Sequence, residues 1–225
     1  MTGLLSSRGS RILPNAEVRR RECRRQTDAA WAPVCEVVRG SIAERIRKGR
    51  SEPADTIDPV QTADFRRLMS FWATGVSVVT AQGGEGPAGV TANALSSLSL
   101  DPPLALVCFD LSSRTLHAVR ESERFCINML ASGQEDISRL FATKKTHEEK
   151  FAEIGHRFEL GVPVISGCLA WLVCELDSEF RRGDHVVAIG NVCGGATNNE
   201  ATPLLYYRGS YSTLPAHQVP LAGLG

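Results

Sequence analysis

Residues 89–103 read Gly-Val-Thr-Ala-Asn-Ala-Leu-Ser-Ser-Leu-Ser-Leu-Asp-Pro-Pro, and this stretch decides the fold. Small hydroxyl and amide side chains follow one another closely in a segment that otherwise has the composition of a strand. Serines alternate with leucines over residues 95–100, which predicts one hydroxyl-bearing face and one buried face before the Asp-Pro-Pro turn. Such a surface suits a large, flat, polar ligand, although an ordinary Ser/Thr-rich edge strand has the same composition.

An amphipathic helix and a hairpin are predicted upstream of this stretch. Four apolar residues have the i, i+3, i+4, i+7 spacing of one helix face, which predicts a helix packed on the core. They are Phe65, Leu68, Met69 and Trp72. Thr74-Gly75 ends the helix, and residues 76–80 predict a strand that runs into the glycine-rich hairpin loop 83–87. Downstream, the continuous apolar run 104–109 predicts a strand buried on both faces.

Residues 110–115, Asp-Leu-Ser-Ser-Arg-Thr, come directly before a short helical pattern. Ser112 or Ser113 can cap that helix, and the free N–H groups beside Arg114 make a natural site for an anion such as phosphate. Plain capping with a solvated arginine explains the same residues. Residues 125–130 then predict a strand, and the highly charged segment 144–151 predicts a loop or a short helix.

The last third of the chain is again rich in strand signals. Strands are predicted over residues 162–165, 169–176 and 186–192, with a final strand pair around Arg208-Gly209. Gly183-Asp184 predicts a turn that presents His185 at the entrance of a strand. A histidine at such a position is structural more often than catalytic.

Composition limits the class of protein. The 225 residues are 43% hydrophobic and 22% charged, which is ordinary for a globular chain with its own core. The sequence predicts no membrane span and no secretory signal, so we expect a cytoplasmic protein that does not bind membranes. Seven cysteines without a Cys-x-x-Cys pair predict free, buried thiols in a reducing compartment. They are Cys23, Cys35, Cys108, Cys126, Cys168, Cys174 and Cys193.

Residues 1–57 differ from the rest of the chain in charge and pattern. Residues 1–50 carry 12 Lys/Arg against 5 Asp/Glu, whereas the remainder carries 13 against 20. Without a sustained apolar face this basic extension is expected to be disordered, and deleting it is expected to leave the folded domain intact. A nucleic-acid-binding arm, a transit peptide and a start codon assigned too far upstream are the alternatives, and the absence of aromatic interleaving disfavours nucleic acid. The folded domain is expected over residues 58–215, followed by a tail over 216–225.

Several kinds of chemistry have no motif in this chain. No Gly-x-Gly-x-x-Gly follows a strand, so a Rossmann nucleotide site is not predicted. None of the histidines has metal-ligand spacing to another histidine or to a cysteine, and no metal is expected. They are His117, His147, His156, His185 and His217.

Six segments in this order resemble the flavin reductase-like family, whose fold is the FMN-binding split barrel, over about Phe65 to Leu214. The matching segments are Thr74–Thr80, Gly89–Pro103, Ser113–Thr115, Phe125–Leu130, Gly183–His185 and Pro203–Tyr207. The resemblance implies a mainly β chain with flanking helices, a split β-barrel of Greek-key type. Ala94, where many relatives carry serine, and the long N-terminus depart from the family pattern.

The resemblance also implies the site residues. The flavin ring is expected against residues 89–97, the flavin phosphate near Ser113, Arg114 and Thr115, and the nicotinamide nucleotide at His185, the one tentative catalytic residue. The cofactor-binding residues implied in this way are Gly89, Val90, Thr91, Ala92, Asn93, Ala94, Ser97, Cys108, Phe109, Asp110, Ser113, Arg114, Thr115, Gly183, Asp184 and His185.

The function implied is that of an NAD(P)H-dependent flavin reductase with FMN or FAD as cofactor and NADH or NADPH as cosubstrate. The reductase would supply reduced flavin to a partner monooxygenase and would act as a homodimer with flavin at the subunit interface. Two alternatives stay open: a non-catalytic flavin carrier, and a split-barrel oxidoreductase that uses another cofactor, such as a pyridoxamine phosphate oxidase-like or deazaflavin enzyme.

Overall fold

The computed structural model describes residues 59–214, so the expectations for residues 1–57 and 216–225 lie outside the described part of the chain. The helices are α1 (Thr62–Met69), α2 (Arg114–Ser122), α3 (Glu135–Ala142) and α4 (His147–Ala152). The strands are β1 (Thr74–Gly75), β2 (Ser77–Gly83), β3 (Gly86–Ala92), β4 (Leu95–Leu100), β5 (Pro103–Asp110), β6 (Arg124–Met129), β7 (His156–Glu159), β8 (Val162–Ile165), β9 (Ala170–Arg182), β10 (His185–Thr197), β11 (Leu204–Tyr207) and β12 (Ser210–Thr213).

Seven strands form an antiparallel sheet in the order β3-β2-β6-β9-β10-β5-β4. β3 and β4 lie at opposite edges of this sheet, yet only Asn93 and Ala94 separate them. A flat sheet would place these edges roughly 29 Å apart, and two linking residues span only about 11 Å. The sheet therefore curls into a barrel that stays open between β3 and β4, which confirms the split barrel predicted from the sequence.

The main core lies inside this curled sheet. Its largest buried side chains are Phe109, Phe125 and Ile127, and α2 covers one end with Leu116 and Val119. A second cluster, which includes Phe141 and Phe151, lies under α3 and α4. Because a Cβ atom at Gly89 would stand only 2.5 Å from the Phe141 ring, glycine is what lets α3 approach β3 so closely.

A buried polar network attaches the two-stranded sheet β7–β8 to the large sheet. The Asn128 amide nitrogen donates to the Val78 carbonyl oxygen at 3.1 Å and to the Thr80 hydroxyl at 3.0 Å. The Asn128 amide oxygen accepts from the Ile165 backbone N–H at 2.8 Å, and the Thr80 hydroxyl donates to the Pro163 carbonyl. These side chains supply hydrogen bonds between β8 and the large sheet, with which β8 has no strand pairing.

The prediction that α1 packs on the core of this chain is wrong. The apolar face is present, but Phe65, Leu68 and Met69 are each about half exposed. Trp72, which continues this face, is 70% exposed. The helical period correctly identified an apolar face. It could not identify what covers the face, because nothing else in residues 59–214 does.

The predicted alternation of β4 is also wrong. Leu98 and Leu100 are exposed, whereas Ser99 is half-buried. A register shift between Ser97 and Ser99 breaks the two-residue period of β4, which is an edge strand. Nothing else in residues 59–214 covers Leu98 and Leu100.

Three further segments differ from expectation. β5 is buried on one face only, because Leu106 and Cys108 are half-buried. β9 and β10 each extend to 13 residues, because they pair along polar residues that carry no apolar alternation. Cys193 is exposed rather than buried. The charged segment before Phe151 forms α4, which is the short helix given as one of its two predicted outcomes.

Candidate functional site

A cavity of about 310 Å³ lies where β3 passes into β4. Trp72, Thr74, Asn93, Met129 and Leu169 contribute to its walls, and the Asn93 amide donates to the Thr74 hydroxyl at 3.3 Å. This volume falls within the roughly 300 to 1,000 Å³ of ligand pockets. The lining combines apolar side chains with the polar side chains of Thr74, Ser77 and Asn93. The cavity therefore has the size and composition of a small-molecule site.

The predicted residues around this cavity differ in whether their polar groups are accessible to a ligand. Thr91 already donates to the Ser138 carbonyl oxygen at 2.6 Å, and Gly89 is buried under α3. Asn93, Ala94 and Ser97 are exposed. Val90 and Ala92 are half-buried and pack against the core. The accessible polar groups of this segment are therefore those at its C-terminal end.

Two predicted residues of β5 lie behind the same segment. The Cys108 backbone N–H donates to the Ala94 carbonyl oxygen at 2.9 Å, which holds the β3–β4 link against β5. Burial raises the pKa of the Cys108 thiol, so this side chain is a neutral thiol. Phe109 is 2% exposed and belongs to the core, so its side chain supports the site from within.

The N-terminus of α2 carries the predicted anion site. Ser113 caps the helix, since its hydroxyl oxygen accepts from the Leu116 N–H at 3.4 Å, as predicted. The exposed Arg114 guanidinium donates to the Lys145 carbonyl oxygen at 2.8 Å and has no carboxylate partner among residues 59–214. Thr115 is 1% exposed, so its side chain is almost entirely enclosed.

α4 brings two further basic side chains to Arg114. The Gly89 N–H donates to Nδ1 of His147 at 3.3 Å, while Nε2 of His147 is buried without a hydrogen-bond partner among the described residues. Burial, and then the positive charges of Arg114 and Lys150, lower the pKa of His147 to about 4. Burial, and then Arg114, also lower the pKa of Lys150, which is 3% exposed.

The turn between β9 and β10 presents His185 beside Asp110. Gly183 has φ +59°, a left-handed conformation that favours glycine, and it lets the chain reverse at this point. His185 lies opposite Asp110 in the β10–β5 register, and its Nδ1 is 2.8 Å from a carboxylate oxygen of Asp184. Hydrogen bonds from Ser112 lower the pKa of Asp110, and the hydrogen bond with His185 lowers the pKa of Asp184. The imidazole therefore sits between two ionised carboxylates at the surface.

The structure joins these places through short stretches of chain. Asp110 is followed after two residues by Ser113, whose N–H donates to the Asp110 carbonyl oxygen at 3.0 Å. The charge of Arg114 lowers the pKa of His147, whose ring accepts the Gly89 N–H. From Gly89 the chain follows β3 to its end and reaches the cavity at Asn93. Four residues of strand span about 13 Å. A basic cluster and a largely apolar cavity with a few polar groups thus lie at the two ends of one short stretch of chain.

His147, Lys150 and Thr74 were not predicted as site residues. Thr146 and Glu149 form a capping box, so the sequence did contain a signal that places His147 in the first turn of a helix, with Lys150 three residues later on the same side. Nothing local indicates that this helix packs against β3, because the contact joins His147 to the Gly89 backbone N–H, 58 residues earlier in the chain.

Two negative findings concern the described residues alone. Across residues 59–214 no helix is long and apolar enough to cross a membrane. In the same range no group of three or more His, Cys, Asp or Glu side chains is arranged to hold a metal ion.

A curled, open seven-stranded sheet with a cavity at the β3–β4 link is the arrangement of a split barrel. The family model of the flavin reductase like domain matches residues 69–215 of this chain. The chain belongs to the flavin reductase-like family.

Individual relatives agree with this assignment. The reductase subunit HsaB of a flavin-dependent monooxygenase from Mycobacterium tuberculosis is 38% identical over 170 residues, covering 72% of this chain and 88% of that protein. The flavin reductase (NADH) of Kitasatospora aureofaciens is 37% identical over 163 residues, covering 69% and 83%. The solved structure of the NADH:FAD oxidoreductase SgcE6 from Streptomyces globisporus C-1027, in complex with NAD and FAD fragments, is 29% identical with a TM-score of 0.67, covering 73% and 99%.

Proposed function

We propose that this flavin reductase transfers a hydride from NADH or NADPH to FMN or FAD and supplies the reduced flavin to a separate flavin-dependent oxygenase. The observation that carries the proposal is the stretch of β3 that joins the cavity at Asn93 to the basic residues around Arg114. A flavin nucleotide has a ring system that suits the cavity and a phosphate-bearing chain that suits the basic residues. Relatives named as reductase components of monooxygenases support the role of the oxygenase partner.

The residues present fit a flavin nucleotide. The cavity offers apolar walls with the Asn93 amide, and Arg114 offers a guanidinium without a carboxylate partner among residues 59–214. When bound, flavin and nicotinamide supply the hydride chemistry themselves. The chain has to orient the two rings, and the backbone N–H groups of residues 91–94 would stabilise negative charge on the flavin ring. His185 is the group proposed to contact the nicotinamide nucleotide.

The experiment that tests this function mixes the purified chain with NADH and either FMN or FAD, and follows the loss of NADH absorbance. Flavin-dependent NADH oxidation is expected, and the same assay with NADPH establishes which nicotinamide is preferred. Flavin binding without NADH or NADPH oxidation would instead indicate a carrier. Absence of flavin binding would contradict the proposal altogether.

Replacing His185 by alanine is expected to affect the nicotinamide side of the reaction. The His185 side chain is about half exposed at a strand entrance, so its removal should leave the fold intact and the flavin affinity within about threefold of wild type. The KM for NADH should rise, or the hydride-transfer rate should fall, by about an order of magnitude. Steady-state kinetics that vary each substrate separately provide the measurement.

His117→Ala is the matched control for that variant, because His117 is an exposed histidine on α2 whose side chain pairs with Glu121. It should leave all kinetic constants unchanged. If His185→Ala damages flavin and NADH parameters equally, or lowers the melting temperature without a selective effect on NADH, His185 has a structural role.

We also propose that the chain acts as a homodimer through the apolar face of α1. Trp72 lines the cavity and is 70% exposed, so a second subunit on this face would both bury α1 and cover the ligand. Leu68→Glu places a charge in that face and is expected to convert the dimer to monomer and weaken flavin binding. Light scattering reports the mass.

Phe158→Glu is the control, since Phe158 is also about half exposed but lies on the β7–β8 hairpin. It should leave the mass unchanged. A monomeric wild-type protein with flavin bound would contradict the dimer proposal.

The cytoplasm is the proposed location. Cys126, Cys168 and Cys174 are buried free thiols, which is the state expected in a reducing compartment.

A further inference from the structure

His147 belongs to none of the motifs found in the sequence, yet its Nε2 is one of two buried side-chain polar atoms without a hydrogen-bond partner in residues 59–214, the other being Oε1 of Gln82. Nδ1 accepts the Gly89 N–H, so in the neutral ring the proton is on Nε2. That Nε2–H donor is buried and has no partner within residues 59–214. Buried donors are almost always satisfied, and an unsatisfied one requires an explanation such as a ligand or a bound water.

The surroundings of this donor are positively charged. Arg114 reaches the neighbourhood from α2 and Lys150 from the next turn of α4, and neither makes an ion pair with a carboxylate among residues 59–214. The Lys150 amine has one hydrogen bond, to the Phe141 carbonyl oxygen at 3.1 Å. An enclosed lysine with no anion beside it is rare in folded proteins, because burial disfavours the charge.

Of the other charged groups nearby, Glu148 beside His147 on α4 is exposed and has no ion pair among residues 59–214, and the following groups are paired. On α4, Glu149 is held by Thr146 in the capping box, and Lys145 before it pairs with Glu153 at 2.6 Å. On α3, Arg139 pairs with Glu135. Strand β3, on which His147 rests, has no ionisable side chain over residues 86–92. The donor therefore faces a local excess of positive charge.

We propose that His147 is a phosphate-binding residue of the flavin site, donating from Nε2 to a phosphate oxygen that Arg114 and Lys150 also stabilise. The inference rests on the proposed flavin binding and adds this chain's own residues to it. Arg114 is exposed and held by a single hydrogen bond to Lys145, so it is the neighbouring group that can shift to admit the oxygen. An anion there would satisfy the orphan donor and neutralise the unpaired charges at once.

Two substitutions separate phosphate binding from support of β3. In His147→Asn, the amide oxygen takes the place of Nδ1 and keeps an acceptor for Gly89, but nothing replaces Nε2. In His147→Gln, the amide nitrogen reaches the place of Nε2, but the acceptor for Gly89 is lost. If His147 binds phosphate, His147→Asn should weaken FMN binding by about tenfold, and His147→Gln should retain most of the FMN affinity. A purely structural role predicts the reverse order.

Riboflavin, which lacks the phosphate, distinguishes this inference from the proposed function. Fluorescence titration should show that wild type and both variants bind riboflavin within about twofold of one another. Equal losses for FMN and riboflavin, the reverse order of Asn and Gln, or unchanged FMN binding in both variants would each overturn the phosphate role. Failure of wild type to bind either flavin would overturn the proposed function and this inference together.

An NMR titration of the His147 ring gives a readout independent of affinity. An anion beside the ring favours its protonated form, so the pKa of His147 should rise when FMN binds. Riboflavin should leave that pKa unchanged. Inorganic phosphate at the FMN concentration should also leave it unchanged, which excludes a site for free phosphate. A pKa that responds equally to riboflavin and FMN would contradict direct contact with the phosphate.

Discussion

Asn128→Leu is expected to lower the free energy of unfolding by about 2 to 4 kcal/mol, since buried polar groups left unpaired cost about 1 to 3 kcal/mol each. The substitution removes the acceptor of the Ile165 N–H and the donor to the Val78 carbonyl, both in a fully buried environment. It also loosens the attachment of β8 to the large sheet. Urea denaturation monitored by tryptophan fluorescence measures the loss.

Asn191→Leu is the matched control. Asn191 lies on β10 and makes one exposed hydrogen bond, to the Asp177 carboxylate at 3.2 Å. Its loss should change stability by no more than about 0.5 kcal/mol, as for other surface substitutions. If the two variants lose equal stability, the Asn128 network does not hold β8 in place.

The features predicted correctly from sequence have causes within a few residues of themselves. Ser113 caps α2 because a hydroxyl at that position can accept from the N–H three residues on, and Gly183 allows the turn before His185. The hairpin of β2 and β3 follows from β-branched residues ending in a glycine-rich loop. Such signals need no knowledge of the rest of the fold.

The features that sequence reasoning missed depend on distant partners. The apolar period of α1 is identical whether the helix is covered by its own chain or by another, so Trp72 was predicted to be buried. His147 joins the site only because α4 rests on Gly89, 58 residues earlier. The polar ends of β9 and β10 form strand because they pair with each other, and not because of their composition.

The resemblance to a known family predicted the class of site, while the structure shows which side chains are accessible. Phe109 and Thr115, both expected to bind cofactor, are almost completely buried. Asn93 and Arg114 remain exposed at the two ends of the candidate site. Family patterns mark positions along the chain, and exposure decides which side chains at those positions can meet a ligand.

Arg114→Ala is expected to weaken FMN binding by about 10- to 100-fold, or about 1.5 to 3 kcal/mol, the usual value of a hydrogen bond to a charged group. The guanidinium has no carboxylate partner in residues 59–214, so it is available to a phosphate. Riboflavin binding should stay within about threefold, and the loss should be the same with and without NADH. Fluorescence titration with each flavin measures both constants.

Arg120→Ala on the same helix is the matched control, because Arg120 is committed to a two-pronged ion pair with Glu179 at 2.9 and 3.0 Å. Its removal deletes one positive charge from α2 without touching the candidate phosphate site, so FMN affinity should hardly change. Equal weakening by both variants would mean that only the overall charge of α2 attracts the phosphate. Equal loss of FMN and riboflavin in Arg114→Ala would mean that Arg114 acts through Lys145, by holding α4 in position, and not through the phosphate itself.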